Sequence, residues 1–179
     1  MTKMASPVGW RNFSIWRCEI KATSAKLGGM GSISQQALPQ LTTLDGVGLD
    51  RIHRSFIEAF SDYQVDIDLP LEGLRSMIVR NDIALGRSVG CWVGEELAGF
   101  ILCGYRSKAD TNPGLLYDGG TGVLPRFRRQ GIAKRMLCAL LQTADADGCA
   151  FVLEVLQENT KALDLYSQHG FSIVRNFVC

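Results

Sequence analysis

A basic turn that contains a glycine separates an apolar segment from a helix-like segment in this chain. It spans residues 123–134 and reads VLPRFRRQGIAK. The first N–H groups of a helix lack carbonyl partners within the helix, and the helix dipole adds positive potential there. Arg128, Arg129 and Lys134 add full charges, and Gly131 leaves room for a ligand to approach the backbone. These residues predict an anion site of the kind that binds phosphate groups.

The elements that must position this turn follow from hydrophobic periodicity and from turn residues. Two glycines inside one predicted strand, Gly119 and Gly120, indicate a β-bulge or a close backbone approach. Hairpin strands precede a strand–helix–strand–helix–strand tail, which predicts an α/β fold with a mixed sheet and helices on both faces. Predicted helices cover 49–60, 71–79, 132–147 and 158–169, and predicted strands cover 33–44, 88–93, 97–105, 115–123, 150–156 and 171–178.

Composition limits the class of protein. The chain has 179 residues, 46% of them hydrophobic and 21% charged, with a formal charge of +1, which is typical of one soluble globular domain. No global field attracts it to nucleic acid, and no apolar run is long enough to span a membrane. Six cysteines without a C-x-x-C pair favour buried thiols and a reducing, cytoplasmic setting. Two histidines without ligand spacing predict no metal site.

The N-terminal residues 1–33 form a separate region in composition. They carry five basic residues against the single acidic Glu19 and end in a glycine-rich stretch. We expect a flexible extension here and a domain from 34 to 179; a transit peptide is the alternative, because the segment is basic, acid-poor and contains serine.

Two segments resemble a known family. Neither a phosphate loop of the G-x-x-x-x-G-K-[ST] type nor a G-x-G-x-x-G after a strand is present. The pattern V-x-P-x-x-R-x-x-G-x-A at 123–133 resembles the acyl-coenzyme A signature of the GCN5-related N-acetyltransferases (GNAT). The pattern N-x-x-A-x-x-L-Y-x-x-x-G-F at 159–171, after Leu153-Glu154-Val155, is similar to that family's later motif. The resemblance covers about residues 34–179 and is strongest from 115 onward.

This resemblance implies a coenzyme cleft in a largely antiparallel sheet. A central parallel pair of strands splays apart and leaves backbone groups that hold the amide-rich pantetheine arm like an added strand. The amide near Val123 faces the thioester carbonyl and stabilises the charge that develops on its oxygen. The pyrophosphate loop then comprises Arg128, Arg129, Gln130, Gly131, Ile132, Ala133 and Lys134.

The resemblance also implies roles around the thioester. Asn159 contacts the pantetheine arm, and Tyr166, seven residues later on the same helical face, protonates the departing thiolate. Glu154 is the candidate general base, because it is a carboxylate in an otherwise apolar strand, where desolvation favours proton uptake. Tyr117 and Asp118 on the facing strand are alternatives, acting directly or through water.

Each candidate also has a plainer interpretation. The arginines of the turn fit a solvated helix start, Tyr166 fits a packing aromatic, Glu154 fits an ion pair at a sheet edge, and Asn159 fits a helix cap. A further loop carries carboxylates that either attract a cationic acceptor or are simply solvated. Its aromatic rings either stack on that acceptor or, in the case of Phe60, pack in the core. Its residues are Phe60, Asp62, Tyr63, Asp66 and Asp68.

One departure from the family concerns the end of the chain. Members usually finish with two antiparallel strands, whereas only one fits after Gly170. A partner subunit, such as a second copy in a homodimer, completes the sheet, or the N-terminal extension covers it, or the form is shortened.

The predicted activity is an N-acetyltransferase reaction. Acetyl-CoA is the co-substrate, and its acetyl group passes to a primary amine, small-molecule or peptide, by direct attack in a ternary complex without a metal. A non-catalytic acyl-CoA-binding module is the alternative, motivated by the missing strand. A nucleic-acid surface on the same arginines is a third hypothesis, and salt-sensitive binding would distinguish it.

Overall fold

The structure is a computed structural model that describes residues 12–18, 38–63, 67–107, 109 and 114–178. No helix in these ranges is long and apolar enough to cross a membrane. The strands are β1 (Asn12–Cys18), β2 (Gln40–Thr43), β3 (Val89–Val93), β4 (Glu96–Arg106), β5 (Gly114–Val123), β6 (Cys149–Leu156) and β7 (Ser172–Val178). The helices are α1 (Leu49–Ala59), α2 (Leu71–Arg80), α3 (Ile132–Ala146) and α4 (Thr160–Gln168), with a 3-10 turn at Pro125–Phe127.

The strands form one sheet in the order β2-β3-β4-β5-β6-β1-β7. Among the strands that the structure describes, only β5 and β6 are parallel neighbours, so the sheet is mixed and largely antiparallel. Their pairing runs from Gly114 opposite Cys149 to Tyr117 opposite Val152 and stops there. Beyond that point β5 pairs with β4 alone and β6 with β1 alone. The predicted fold class, with a splayed central pair of parallel strands, is confirmed.

Helices cover both faces of the sheet, as predicted. Along β4, Ile101 and Cys103 belong to the core layer under α3 and α4, whereas Phe100 and Leu102 belong to the layer under α1 and α2. This alternation is the two-residue period of a strand buried on both sides. The sheet thus positions helices on both faces, and residues of α1, α3 and α4 or of the loops beside them line the cavities at the opening between β5 and β6.

A β-bulge interrupts β5 at the predicted glycines. Leu102 pairs with Gly120 and Cys103 pairs with Asp118, so Gly119 has no partner across the ladder. A Cβ at Gly119 would overlap the side chain of Ile83. The bulge changes the direction of the strand at the level where β5 leaves β6, and it places Asp118 at that opening.

The N-terminal region requires a correction. Residues 12–18, expected within a flexible extension, form β1 between β6 and β7, so the domain does not begin at residue 34. Ile15 lies opposite Glu154 on one side and Arg175 on the other, and the Trp16 side chain is buried. The basic composition of residues 1–33 gave no indication of a strand. Without β1, however, the facing edges of β6 and β7 would lack backbone hydrogen-bond partners.

Of the ways of completing the sheet, the structure therefore shows the N-terminal segment of the chain itself. The other parts of residues 1–33 lie outside the described residues. Of the predicted first strand at 33–44, the structure describes residues 38–44, and within these the strand is the four-residue β2.

Candidate active site

The loop before α3 presents backbone N–H groups to solvent. Gly131 has φ +75° and Arg129 has φ +62°, both in the left-handed region. The first hydrogen bond of the helix is donated by Arg135 N–H to the Gly131 carbonyl, at 3.0 Å. Residues 132–134 precede it, so their N–H groups have no carbonyl partner in the described part of the chain. Alternating left-handed residues turn such groups inward and make an anion-binding concavity.

A cavity of about 400 Å³ opens between this loop and α4. Lys161 also lines it and was missed in the sequence, although its place at the start of a predicted helix puts it beside Asn159. Gln130 is the exception among the predicted coenzyme residues, because it does not line the cavity and its side chain donates to the Arg126 carbonyl, at 3.2 Å. The predicted residues that line the cavity are Val123, Arg128, Arg129, Gly131, Ile132, Ala133, Lys134, Asn159 and Tyr166.

Arg128 is already engaged by the protein. Its guanidinium donates to the carbonyls of Val123 (3.0 Å) and Ala59 (2.9 Å) and to both carboxylate oxygens of Asp62 (2.6 and 2.7 Å). These hydrogen bonds lower the pKa of the Asp62 carboxyl and raise that of Arg128. Arg128 thus fastens the end of α1 to the end of β5, and its predicted contact with pyrophosphate stays a prediction.

The other acidic residues of the α1–α2 loop are less informative. Asp68 is exposed and lines neither this cavity nor the second one described below. Asp66 lies outside the described residues. Of the three carboxylates predicted to attract the acceptor, only Asp62 is therefore described near these cavities, and it already forms an ion pair with Arg128.

The backbone of Val123 faces the cleft. Leu124 N–H donates to the Ala98 carbonyl of β4, at 2.9 Å. Because successive residues of a strand point their backbone groups to opposite sides, the N–H and C=O of Val123 point away from β4. That side is where β5 has left β6, so the N–H of Val123 stands where the family resemblance implies a thioester carbonyl.

Asn159 has the structural role that its plainer interpretation predicts. Its side-chain oxygen accepts a hydrogen bond from Ala162 N–H, at 3.3 Å, which caps α4. The helix consequently begins at Thr160 rather than at Glu158. Asn159 also lines the coenzyme cavity, and the cap leaves its amide NH₂ group as the available donor there.

The bulge in β5 creates a buried polar cluster around Asp118. Its carboxylate accepts hydrogen bonds from Gly120 N–H (2.8 Å) and the Thr121 hydroxyl (2.7 Å) and is hydrogen-bonded to the Tyr166 hydroxyl. The residue as a whole is half-buried, whereas protein atoms densely surround the carboxyl group. Burial raises the pKa of Asp118 from 3.8 to about 6 despite these hydrogen bonds. At neutral pH it is an ionised carboxylate with an increased affinity for a proton.

Tyr166 combines packing with polar contacts. Its ring belongs to the core under α3 and α4 and packs against Phe171, with 5.6 Å between centroids. Its hydroxyl reaches Asp118 and Thr121. Burial and the negative charge of Asp118 raise the pKa of Tyr166 well above its ordinary value. In this state it is a weaker acid than the sequence led us to expect.

Glu154 differs from expectation in its burial. It lies on β6 with its side chain exposed, so the desolvation that motivated its role as a base is absent. Among the described residues it has no ion-pair partner, so the structure shows no sheet-edge ion pair either. The other alternative, Tyr117, packs over Gly104 and does not line the cavity described next.

A second cavity, of about 420 Å³, lies on the opposite side of Tyr166 from the loop before α3. Asp118 and Glu154 both line it, as do Phe60, Tyr63 and Ile67 from the α1–α2 region. The two cavities share a wall made of Thr121, Asn159, Ala162 and Tyr166.

The family model described as the Acetyltransferase (GNAT) family matches residues 49–171, well over half of the chain. The chain belongs to the GNAT family. The match includes both splayed strands, the loop before α3 and the whole of α4. No curated protein sequence matches the chain.

Solved structures show that this GNAT chain shares its fold with proteins of low identity. A protein assigned to the GNAT family from Novosphingobium aromaticivorans has a TM-score of 0.62 at 16% identity, covering 96% of this chain and 63% of its own. A GCN5-related N-acetyltransferase from Sphaerobacter thermophilus has a TM-score of 0.67 at 16% identity, covering 94% and 50%. Arabidopsis thaliana Naa50 in complex with the bisubstrate analogue CoA-Ac-MVNAL has a TM-score of 0.57 at 21% identity, covering 76% and 85%.

The chain spans about half to two thirds of the length of the first two proteins.

Proposed function

We propose that this GNAT protein transfers an acetyl group from acetyl-CoA to a primary amine by direct attack in a ternary complex. The observation that supports it is the separation of charge between two cavities with a common wall. Cations line the cavity beside α3, where there is no carboxylate, and carboxylates line the other, where there is no cation, among the described residues. The cations are Arg128, Arg129, Lys134 and Lys161, and the carboxylates are Asp118 and Glu154.

The first cavity fits the chemistry of acetyl-CoA. Its phosphate groups need cations and N–H donors, which the loop at 128–134 supplies. Its pantetheine arm carries amides, which match the backbone groups left where β5 and β6 separate. The N–H of Val123 then stabilises negative charge on the thioester oxygen during attack. Naa50, with the same fold, was solved with an analogue that contains CoA.

The second cavity supplies the proton acceptor. An amine arrives mostly as ammonium and must lose a proton before its nitrogen can attack. We assign the base to Asp118 rather than Glu154, because only Asp118 is buried, hydrogen-bonded and held against Tyr166. Glu154, exposed at the rim, is suited to attract the ammonium group before it reaches Asp118.

The reaction then balances through two side chains. Asp118 first takes a proton from the ammonium group and releases it to solvent. The neutral amine nitrogen then bonds to the thioester carbon and passes a second proton to Asp118 as the C–S bond breaks. The Tyr166 hydroxyl protonates the departing thiolate and recovers its proton from Asp118, to which it is hydrogen-bonded. The net result is an amide and free coenzyme A: of the two protons that the ammonium group loses, one moves to the sulfur and the other goes to solvent.

The contact between Asp118 and Tyr166 also determines the order of proton transfers. The charge of ionised Asp118 is one cause of the raised pKa of Tyr166. When Asp118 accepts the amine's proton, that charge disappears and Tyr166 becomes a stronger acid. The phenol therefore becomes a better donor at the stage when the thiolate needs a proton.

Free thiol and product mass test this proposal. The full chain is incubated with acetyl-CoA and a broad panel of primary amines, and we expect amine-dependent thiol release together with a product one acetyl group heavier. Absence of both across the panel, together with no acetyl-CoA binding by calorimetry, would refute the function.

The non-catalytic alternative has lost its motivation. It rested on a missing strand and an incomplete acceptor wall, whereas β1 pairs with β6 and β7 and fills that place.

A further inference from the structure

The acceptor cavity is apolar on one side and acidic on the other. Its apolar side consists of the rings of Phe60 and Tyr63 and the side chain of Ile67, all half-buried. Phe60 and Tyr63 contact edge to face, with centroids 5.4 Å apart, which holds both rings in a defined arrangement.

The acidic side has two carboxylates of unequal availability. Asp118 already accepts three hydrogen bonds from Gly120, Thr121 and Tyr166, so it has little capacity beyond one further contact. Glu154 is exposed and has no ion pair within the part of the chain that the structure describes. Among the described residues that line the cavity, Asp118 and Glu154 are the only carboxylates, and the lining accordingly provides for one ammonium group between them.

We propose that the acceptor is a primary monoamine whose ammonium lies between Asp118 and Glu154 and whose adjoining apolar group packs against Phe60, Tyr63 and Ile67. The inference rests on the proposed function and names the substrate class of that site. A free arylalkylamine and a peptide with an N-terminal phenylalanine share this chemistry. The cavity volume of about 420 Å³ is sufficient for a small organic amine or for one residue with its amino group.

Rates with matched amines test the proposal. The full chain, saturated with acetyl-CoA, is assayed with phenethylamine, a phenylalanyl-glycine amide, ethanolamine and spermidine. Burial of a ring predicts a kcat/KM for phenethylamine or the peptide at least about tenfold above ethanolamine and spermidine. Preference between the first two separates a small-molecule from a peptide acceptor. Equal or higher rates with ethanolamine or spermidine would overturn the inference.

Variants assign the preference to this cavity. Glu154→Gln should lower kcat/KM for phenethylamine by about tenfold, because one of two carboxylates is lost. Glu95→Gln, in the exposed β3–β4 turn, is the matched control and should behave as wild type. Phe60→Ala should remove the advantage of phenethylamine over ethanolamine, and Phe60→Leu should restore part of it. A Glu154→Gln protein equal to the Glu95→Gln protein contradicts the proposal.

Binding measurements keep this test separate from the proposed function. Calorimetry with the CoA-saturated protein should give a Kd for phenethylamine at least about tenfold below that for ethanolamine, even without turnover. Thiol release with polar amines only would leave the acetyltransferase function intact and would refute the proposed acceptor, a monoamine with an adjoining apolar group. Acetyl-CoA binding without any amine binding refutes it as well.

Discussion

The two halves of the site are built in different ways. The donor side is made mostly of a contiguous piece of chain, residues 121–134, completed by α4 and its capping residue Asn159. The acceptor side takes residues from α1 and its following loop, from the bulge in β5, from β6 and from α4. A short segment determines its own backbone shape, whereas the acceptor cavity exists only after distant elements have packed. The geometry of the donor side thus depends mainly on neighbouring residues, whereas that of the acceptor side depends on the packing of distant elements.

The largest effect should come from the acceptor side. Asp118→Asn removes the proton acceptor and should lower kcat by about 10²–10⁴-fold, the usual contribution of general base catalysis. Acetyl-CoA affinity, measured by calorimetry, should stay within about twofold of wild type, because Asp118 does not line the donor cavity. Asp45→Asn, an exposed carboxylate in a turn, is the matched control. More than a tenth of wild-type kcat in Asp118→Asn would transfer the role to Glu154.

The same substitution distinguishes catalysis from folding. Since burial raises the pKa of Asp118 from 3.8 to about 6, ionisation costs the folded state free energy that is absent below pH about 4 and fully present above pH about 6. Asn carries no such cost, so at pH 8 the variant should be as stable as wild type or more stable, by up to about 3 kcal/mol. A strongly destabilised variant would mean that its loss of activity is structural.

The next effect concerns the N-terminal strand. Ile15→Pro removes a ladder N–H from a strand that has partners on both sides and should cost about 3 kcal/mol, which lowers Tm by roughly 6–12 °C. Below that Tm the amine KM should rise, because β1 supports the part of β6 that carries Glu154. Acetyl-CoA affinity should change little. Ile15→Val is the control. If Ile15→Pro weakened acetyl-CoA binding as much as amine binding, the donor and acceptor sides would be one cooperative unit.

The pH dependence of the rate should show an effect of about tenfold per pH unit on its acidic side. Asp118 must be ionised to accept a proton, so kcat/KM for the amine, which reports ionisations of the free enzyme, should be half-maximal near pH 6 and fall about tenfold for each further unit of acidity. Asp118→Asn should abolish this acidic limb. A wild-type profile that is flat between pH 5 and pH 8 would argue against Asp118.

The smallest effect should come from the donor loop. Gly131 has φ +75°, and no atom lies within 4 Å of an added Cβ, so Gly131→Ala introduces backbone strain without a clash. A strain of roughly 1 kcal/mol should weaken acetyl-CoA binding about fivefold and leave the amine KM unchanged. Gly86→Ala is the control, since that glycine has equal space and no positive φ. Loss of amine affinity in Gly131→Ala would contradict the independence of the donor side.

The order of helices and strands from residue 40 onward could be predicted from the sequence, because hydrophobic periodicity and turn residues act over a few neighbours. The bulge at Gly119 was predictable for the same reason. Predicted boundaries differ by a residue or two where caps decide them, as at Asn159, whose side chain ends the loop and starts α4.

The sequence by itself determined the loop at 128–134 and the shared helical face of Asn159 and Tyr166, because spacing alone produces both. Only the tertiary structure decided which carboxylate is buried, since the desolvation of Asp118 and the exposure of Glu154 depend on contacts between distant segments. It also decided that β1 lies between β6 and β7. Strand pairing satisfies the hydrogen bonding of backbone groups, which every residue carries, so no local pattern in residues 12–18 predicts which strands they pair with.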